Sequence, residues 1–184
     1  QEQVWKYDDG GRMGFIDFSP DGSHLVLGRP YGTSFEYWAL DGKDPIWTVD
    51  NLMMPFCLFS PNGKRIYVVG PESLRPGGDS NLSCYDIDSR KRLWFHQPIG
   101  AASFPVLTPD GKTLITAGPN KTIIEWDTNN GKELNRFNSG NARGCFILRL
   151  DPTGRYLMSV SSNVGVVHDL STRTVVARDM SHAY

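Results

Sequence analysis

TPDGKTLITAG at residues 108–118, continued by PNKTIIEWDTNNGK at 119–132, is the stretch that decides the fold. A short β-patterned run ends at Thr108-Pro109-Asp110-Gly111, and a second run begins at once after it. Proline presets the backbone angle of the second turn position, Asp follows, and Gly accepts the positive φ that closes a tight hairpin. The same signature stands three more times, in FIDFSPDGSHLVLG (15–28), FCLFSPNGKRIYVVG (56–70) and FILRLDPTGRYLMSV (146–160). Its prolines, Pro20, Pro61, Pro109 and Pro152, are 41, 48 and 43 residues apart. A period of this size fixes an architecture before any single element is read.

A second landmark follows each hairpin: YWALDG around Trp38, CYDIDSRK around Tyr85, EWDTNNGK around Trp126 and VHDLSTR around His168. In three of the four an Asp comes directly after the ring (Asp86, Asp127 and Asp169). A fourth short strand closes each copy as PIWTV, RLWFH, ELNRF and TVVAR. Four strands per unit and no helical periodicity predict an all-β chain.

Units of this length, with a Trp-Asp pair closing the third strand, resemble the blades of the WD-repeat β-propeller family. The resemblance spans about Val4 to Asp179 and is most specific in the third copy, where Asn120 stands six residues before Trp126 at the family's tight-turn position. Asp79 holds that place before Tyr85; the first copy has Gly32 there and the fourth has Ser162 beside Asn163. No copy carries the family's Gly-His dipeptide, so its usual His-Asp-Ser-Trp hydrogen-bond network is not available in that form. The resemblance implies a β-propeller of four four-stranded antiparallel blades and an interaction scaffold rather than an enzyme.

The expected organisation is one domain over residues 1–184, with blades at about 14–50, 54–97, 102–138 and 145–179. A single blade cannot bury both faces, so blades must stack on one another. Trp38, Trp94 and Trp126 are accordingly expected in packing roles. Four blades reach only the lower limit of propeller rings; the resemblance implies larger rings, so the chain is expected as half of an eight-bladed ring, with a four-bladed ring that closes alone as the alternative. VWKYDD at 4–9 reads as one further outer strand, and the first residue is Gln1; both set the expectation of a piece of a longer propeller or of a homodimer that completes the ring.

Composition bounds the chemistry. The 184 residues are 39% hydrophobic and carry 19 Lys+Arg against 20 Asp+Glu, a formal charge of -1. No basic footprint for nucleic acid exists, and no apolar run approaches the roughly 18 residues of a membrane-spanning helix, so neither partner is expected. Cys57, Cys84 and Cys145 show no metal spacing and read as buried free thiols, which lean toward a reducing compartment. His24, His96, His168 and His182 belong to no metal-ligating pattern, and no nucleophile elbow or phosphate-binding loop is present. Asp41, Asp86, Asp127 and Asp169 recur as strand-end turn formers. Neither a catalytic residue nor a metal or cofactor is expected.

Binding is then expected from loops, because loops on a rigid scaffold concentrate it. Copy two carries an insertion, GPESLRPGGDS at 70–80, and on the same end lie GGRM, RPYG, NLMM and SGNARG. Arg, Tyr and Met are favoured at protein interfaces, which makes Arg12, Tyr31, Met53, Arg75 and Arg143 the candidates for a protein or peptide partner. Two other classes stay open. Asp86, Ser89, Lys91 and Trp94 resemble a docking motif of pyrroloquinoline-quinone propeller enzymes, with Arg90 in the glycine's place; a purely structural or engineered half-propeller that homodimerises is the third reading.

Overall fold

The four turn tetrads determine the strand order. In a computed structural model that describes residues 15–29, 34–52, 55–70, 80–96, 105–141, 147–161 and 164–179, each turn glycine lies in the left-handed region, at φ 69, 68, 70 and 76 for Gly22, Gly63, Gly111 and Gly154. Its N–H donates to the residue that precedes the proline, as from Gly111 to the Thr108 carbonyl at 2.8 Å. The first and third turn residues also bond each other: Ser19 Oγ donates to Asp21 at 2.6 Å, Ser60 to Asn62 at 2.7 Å and Thr108 to Asp110 at 2.7 Å. The fourth turn reverses the polarity, with Thr153 Oγ1 donating to Asp151. Exchanging hydroxyl and carboxylate between the two positions keeps the same bond, which is why LDPTG still reads as the same turn.

Among the described residues sixteen strands result, in four antiparallel sheets of four. Blade one holds β1 (Phe15–Phe18), β2 (His24–Gly28), β3 (Ser34–Ala39) and β4 (Trp47–Asp50). Blade two holds β5 (Phe56–Phe59), β6 (Arg65–Gly70), β7 (Asn81–Asp86) and β8 (Arg92–His96). Blade three holds β9 (Val106–Leu107), β10 (Thr113–Gly118), β11 (Thr122–Asp127) and β12 (Glu133–Asn138). Blade four holds β13 (Ile147–Leu150), β14 (Tyr156–Ser161), β15 (Val164–Asp169) and β16 (Thr174–Asp179). Strands are neighbours in chain order within every sheet, so each blade is an up-and-down meander and the fold is a β-propeller of four blades. A single 3-10 turn, Pro119–Lys121, interrupts the strands among the described residues; there Asn120 and Lys121 take φ 55 and 62, the two left-handed residues of a tight hairpin. Segment 4–9, expected as a further outer strand, lies outside the described residues.

Register assigns each side chain to one face of its blade. Blades one and two join through Val26, Phe35, Tyr37, Phe59, Ile66 and Tyr85; two and three through Tyr67, Val69, Leu82, Leu114, Ile124 and Trp126; three and four through Ile115, Ile123, Leu148 and Leu157. The turns mark the same succession. A Cβ on Gly63 would meet Pro20, on Gly111 Pro61 and on Gly154 Pro109, whereas one on Gly22 would meet nothing within 4 Å. Pro152 therefore does not stand over Gly22 as each other turn proline stands over the next glycine. Among the described residues the blades form an open succession.

Register also corrects one reading. Trp38 lies opposite Leu25, as Trp126 lies opposite Leu114, so Ala39 holds the place of Asp86, Asp127 and Asp169. Asp41 falls two residues beyond it, in the turn that follows.

Candidate functional site

Arg12, Tyr31, Met53, Arg75 and Arg143 all lie outside the described residues. The strands that carry their loops are described, and antiparallel order puts the β2–β3 connections and the blade-to-blade connections at one end of the sheets. The hairpin turns and the β3–β4 turns occupy the opposite end, and there the described residues are densely organised.

At that end Arg65, the first residue of β6, crosses from blade two to blade three. Its Nη1 donates to the Thr128 carbonyl at 3.2 Å, and Trp94 Nε1 donates to the same oxygen at 3.1 Å. Thr128 is held for this by its own hydroxyl, which donates to the Gly111 carbonyl at 2.8 Å. A cavity of about 450 Å³ opens beside this link, lined by Lys64, Arg65, Tyr67 and Asp86 of blade two and by Asp110 and Lys112 of blade three, among others. Hydrogen bonds from Ser89 to Asp86 and from Thr108 to Asp110 hold both carboxyls below the usual carboxylate range, so they are charged near neutral pH. Burial pushes the Tyr67 hydroxyl upward, keeping it protonated. Sequence reasoning passed over Arg65 and Tyr67, yet a signal was present: the corresponding residues are His24 and Val26 in blade one, Thr113 and Ile115 in blade three, and Tyr156 and Met158 in blade four.

The quinone-docking resemblance resolves into blade packing. Asp86 accepts from Ser89 N at 2.8 Å and its own N–H bonds the Lys91 carbonyl, closing the β7–β8 turn, where Arg90 adopts φ 56. Trp94 lies so near Gly131 of blade three that a Cβ there would meet its ring at 2.6 Å. These residues dock one blade on the next.

Aromatic N–H groups complete the trusses. Trp126 Nε1 donates to Thr116 Oγ1 at 2.9 Å, while Trp38 Nε1 donates to Glu36 at 3.0 Å. His168 replaces the Trp in blade four; its Nε2 lies 3.1 Å from the Ser139 carbonyl and 3.4 Å from Ser159 Oγ, at the position of Thr116. Burial pushes its pKa down, against the Ser139 bond. Ser159 and His168 are both fully buried, so their pairing lies within the core. Burial also pushes the Cys84 thiol up to about 12 and raises Cys57, leaving both unreactive. Among the described residues no three His, Cys, Asp or Glu side chains stand together as a metal site, and no helix is long and apolar enough to cross a membrane.

Comparison with known proteins agrees on architecture. No family model matches the chain. Hydrazine synthase of Kuenenia stuttgartiensis superposes with a TM-score of 0.76 at 24% identity, over 97% of this chain and 51% of that one. The likeness is one of fold. GID complex subunit 7 of Schizosaccharomyces pombe is 20% identical over 147 residues, which is 80% of this chain and 28% of that protein. The chain thus spans about half of the solved structure and under a third of the curated relative.

Proposed function

We propose that the chain is a non-catalytic interaction scaffold of WD-repeat type that self-associates through its open blade faces. One observation carries the reading. On the face that each blade turns to its successor, Val26, Tyr67 and Ile115 are 0%, 1% and 0% exposed, whereas their counterpart in blade four, Met158, is 42% exposed. Tyr156 and Ile147 are exposed on the same blade, an apolar area of the kind that soluble proteins cover with a partner. At the other end Phe18 is 57% exposed where its counterpart Phe59 is 6% exposed against blade one, and Gly22 lacks the proline that the other turn glycines meet.

A second copy supplies what each end lacks, and a two-fold axis brings both junctions together to close eight blades. Leu25, Leu27 and Trp38 are already buried on the blade-one face, so the contact offered there is at the inner strand and turn. That the curated relative is by its name a subunit of a complex supports the scaffold reading. Internal pairing names the test. Phe59 packs on Tyr37 with ring centroids 6.1 Å apart, and Val167 holds the Tyr37 position in blade four. The Phe18→Cys, Val167→Cys double variant, oxidised in dilute solution, should run at twice the chain mass on a non-reducing gel while the wild type does not. A monomeric band from the folded variant contradicts self-association.

A further inference from the structure

The notch between successive hairpin turns occurs at three junctions, and the chain treats the middle one differently. Between blades one and two, His24 stacks on Tyr37 with rings 5.0 Å apart and 10° from parallel. Between three and four, the blade-four cation Arg155 is bound to Asp169 at 2.8 Å and lies over Tyr156. The blade-one ring and the blade-four cation thus each have a partner within their own blade.

Between blades two and three the cavity of about 450 Å³ receives three cations, Lys64 and Arg65 from one blade and Lys112 from the next. Arg65 spends one nitrogen on a neutral carbonyl, with Asn129 Oδ1 at 3.5 Å, and has no carboxylate within ion-pair distance among the described residues. Lys64 likewise has no ion pair there, and Lys112 meets Asp110 only at 4.0 Å. Asp86 and Asp110 are committed to Ser89 and to Thr108 and the Lys112 N–H. Three cations against two engaged carboxylates leave the lining with a net positive charge, and the planar guanidinium adds donors suited to paired oxygens. The volume falls within that of ordinary ligand pockets and exceeds that of a single ion.

We propose that this cleft between blades two and three binds an oxyanion, a carboxylate or a phosphate, carried by a protein partner. Arg65 is the residue that engages it, and Lys64 and Lys112 attract it from the two blades. That a protein carries the group rests on the scaffold reading; that the cleft takes an oxyanion does not.

Amide NMR titrations of the 184-residue chain separate the possibilities, with Ac-Gly-Glu-Gly-NH2, its phosphoserine counterpart, inorganic phosphate and Ac-Gly-Gln-Gly-NH2 as probes. Saturable shifts at Lys64, Arg65 and Asn129 are expected with oxyanion probes, and none with the Gln peptide. Saturation by the Glu peptide alone assigns a carboxylate, and by the phosphorylated probes alone a phosphate; either supports the site. Arg65→Thr, which installs the residue of blade three, should weaken binding at least tenfold, and Lys64→Ser, the residue of blade one, severalfold, with both variants keeping the dispersed wild-type spectrum. No saturable shift with any oxyanion, equal shifts with the Gln peptide, or unchanged affinity in folded Arg65→Thr overturns the proposal, while leaving the gel test of self-association to stand or fall by itself.

Discussion

Blade two and blade four present the same strands to their successors, in the same register, with opposite outcomes. Tyr67, Val69, Leu82 and Cys84 of blade two are buried under blade three, whereas Met158 and Tyr156 of blade four meet water. Both faces carry apolar residues at corresponding positions, Tyr67 against Met158 and Val69 against Val160, so burial in a stack of repeats depends on what stands on the face as well as on the face itself. The energetic consequences of a substitution should therefore follow the junction rather than the residue.

The largest contrast is between charges placed on equivalent positions. Ile115→Glu buries a carboxylate in the closed junction between blades three and four and should cost about 4 kcal/mol or more, enough to unfold much of the protein. Met158→Glu, at the same position one blade later, should change the stability of dilute protein by no more than about 0.5 kcal/mol. Urea unfolding of the two variants checks this. Equal losses in dilute protein would mean that the single chain itself covers the blade-four face.

A smaller contrast concerns turns. Gly131 has φ 69 and lies under the Trp94 ring, so Gly131→Ala adds a steric clash to backbone strain and should cost about 2–3 kcal/mol. Gly22 has the same φ 69 with nothing within 4 Å, and Gly22→Ala should cost only the backbone strain, about 1 kcal/mol. Thermal midpoints should separate the two variants by several degrees. A penalty for Gly22→Ala as large as that for Gly131→Ala would place another group over the first turn.

The smallest effect is one of pH. Burial lowers the His168 pKa below its ordinary 6.5, so the unfolded chain takes up a proton before the native one does. The stabilisation this represents is complete above pH 6.5 and declines as pH falls below it toward the native pKa. Between pH 7.5 and 5.5 the urea midpoint of the wild type should fall more than that of His168→Trp, which carries the non-titrating residue of blade three. Parallel midpoints in the two proteins would show that His168 is hydrated in the native state.

Local chemistry made the repeat legible. Pro-Asp-Gly tetrads, alternating apolar residues and the Trp126-Asp127 pair each act within one hairpin, so the four blades and their strand order follow from the residues alone. Contacts between blades are less visible because they join residues some 40 or more positions apart, as when the Asp17 carboxylate accepts the Phe59 N–H at 2.8 Å. Arg65 belongs to this class, since its partner Thr128 lies 63 residues on. Arg173 is hidden differently, whereas Arg90 is legible as the residue in a glycine's place. Both take the left-handed conformation that Gly131 fills in blade three, at φ 56 for Arg90 and 57 for Arg173, and Arg173 also reaches Glu125 of that blade at 3.0 Å, a contact that no local pattern marks. The loop candidates rest on loop position and residue type and lie outside the described residues, whereas the described geometry bears on the opposite end of the blades.

Whether the exposed face of blade four is an interface is tested most directly by light-scattering mass across an eluting peak, for the wild type and Met158→Glu at the same concentration. The account predicts twice the 20.6 kDa chain mass for the wild type and a single chain mass for the variant, with both retaining β-sheet circular dichroism. A well-folded wild type at one chain mass, or a variant that remains at twice that mass, would contradict it.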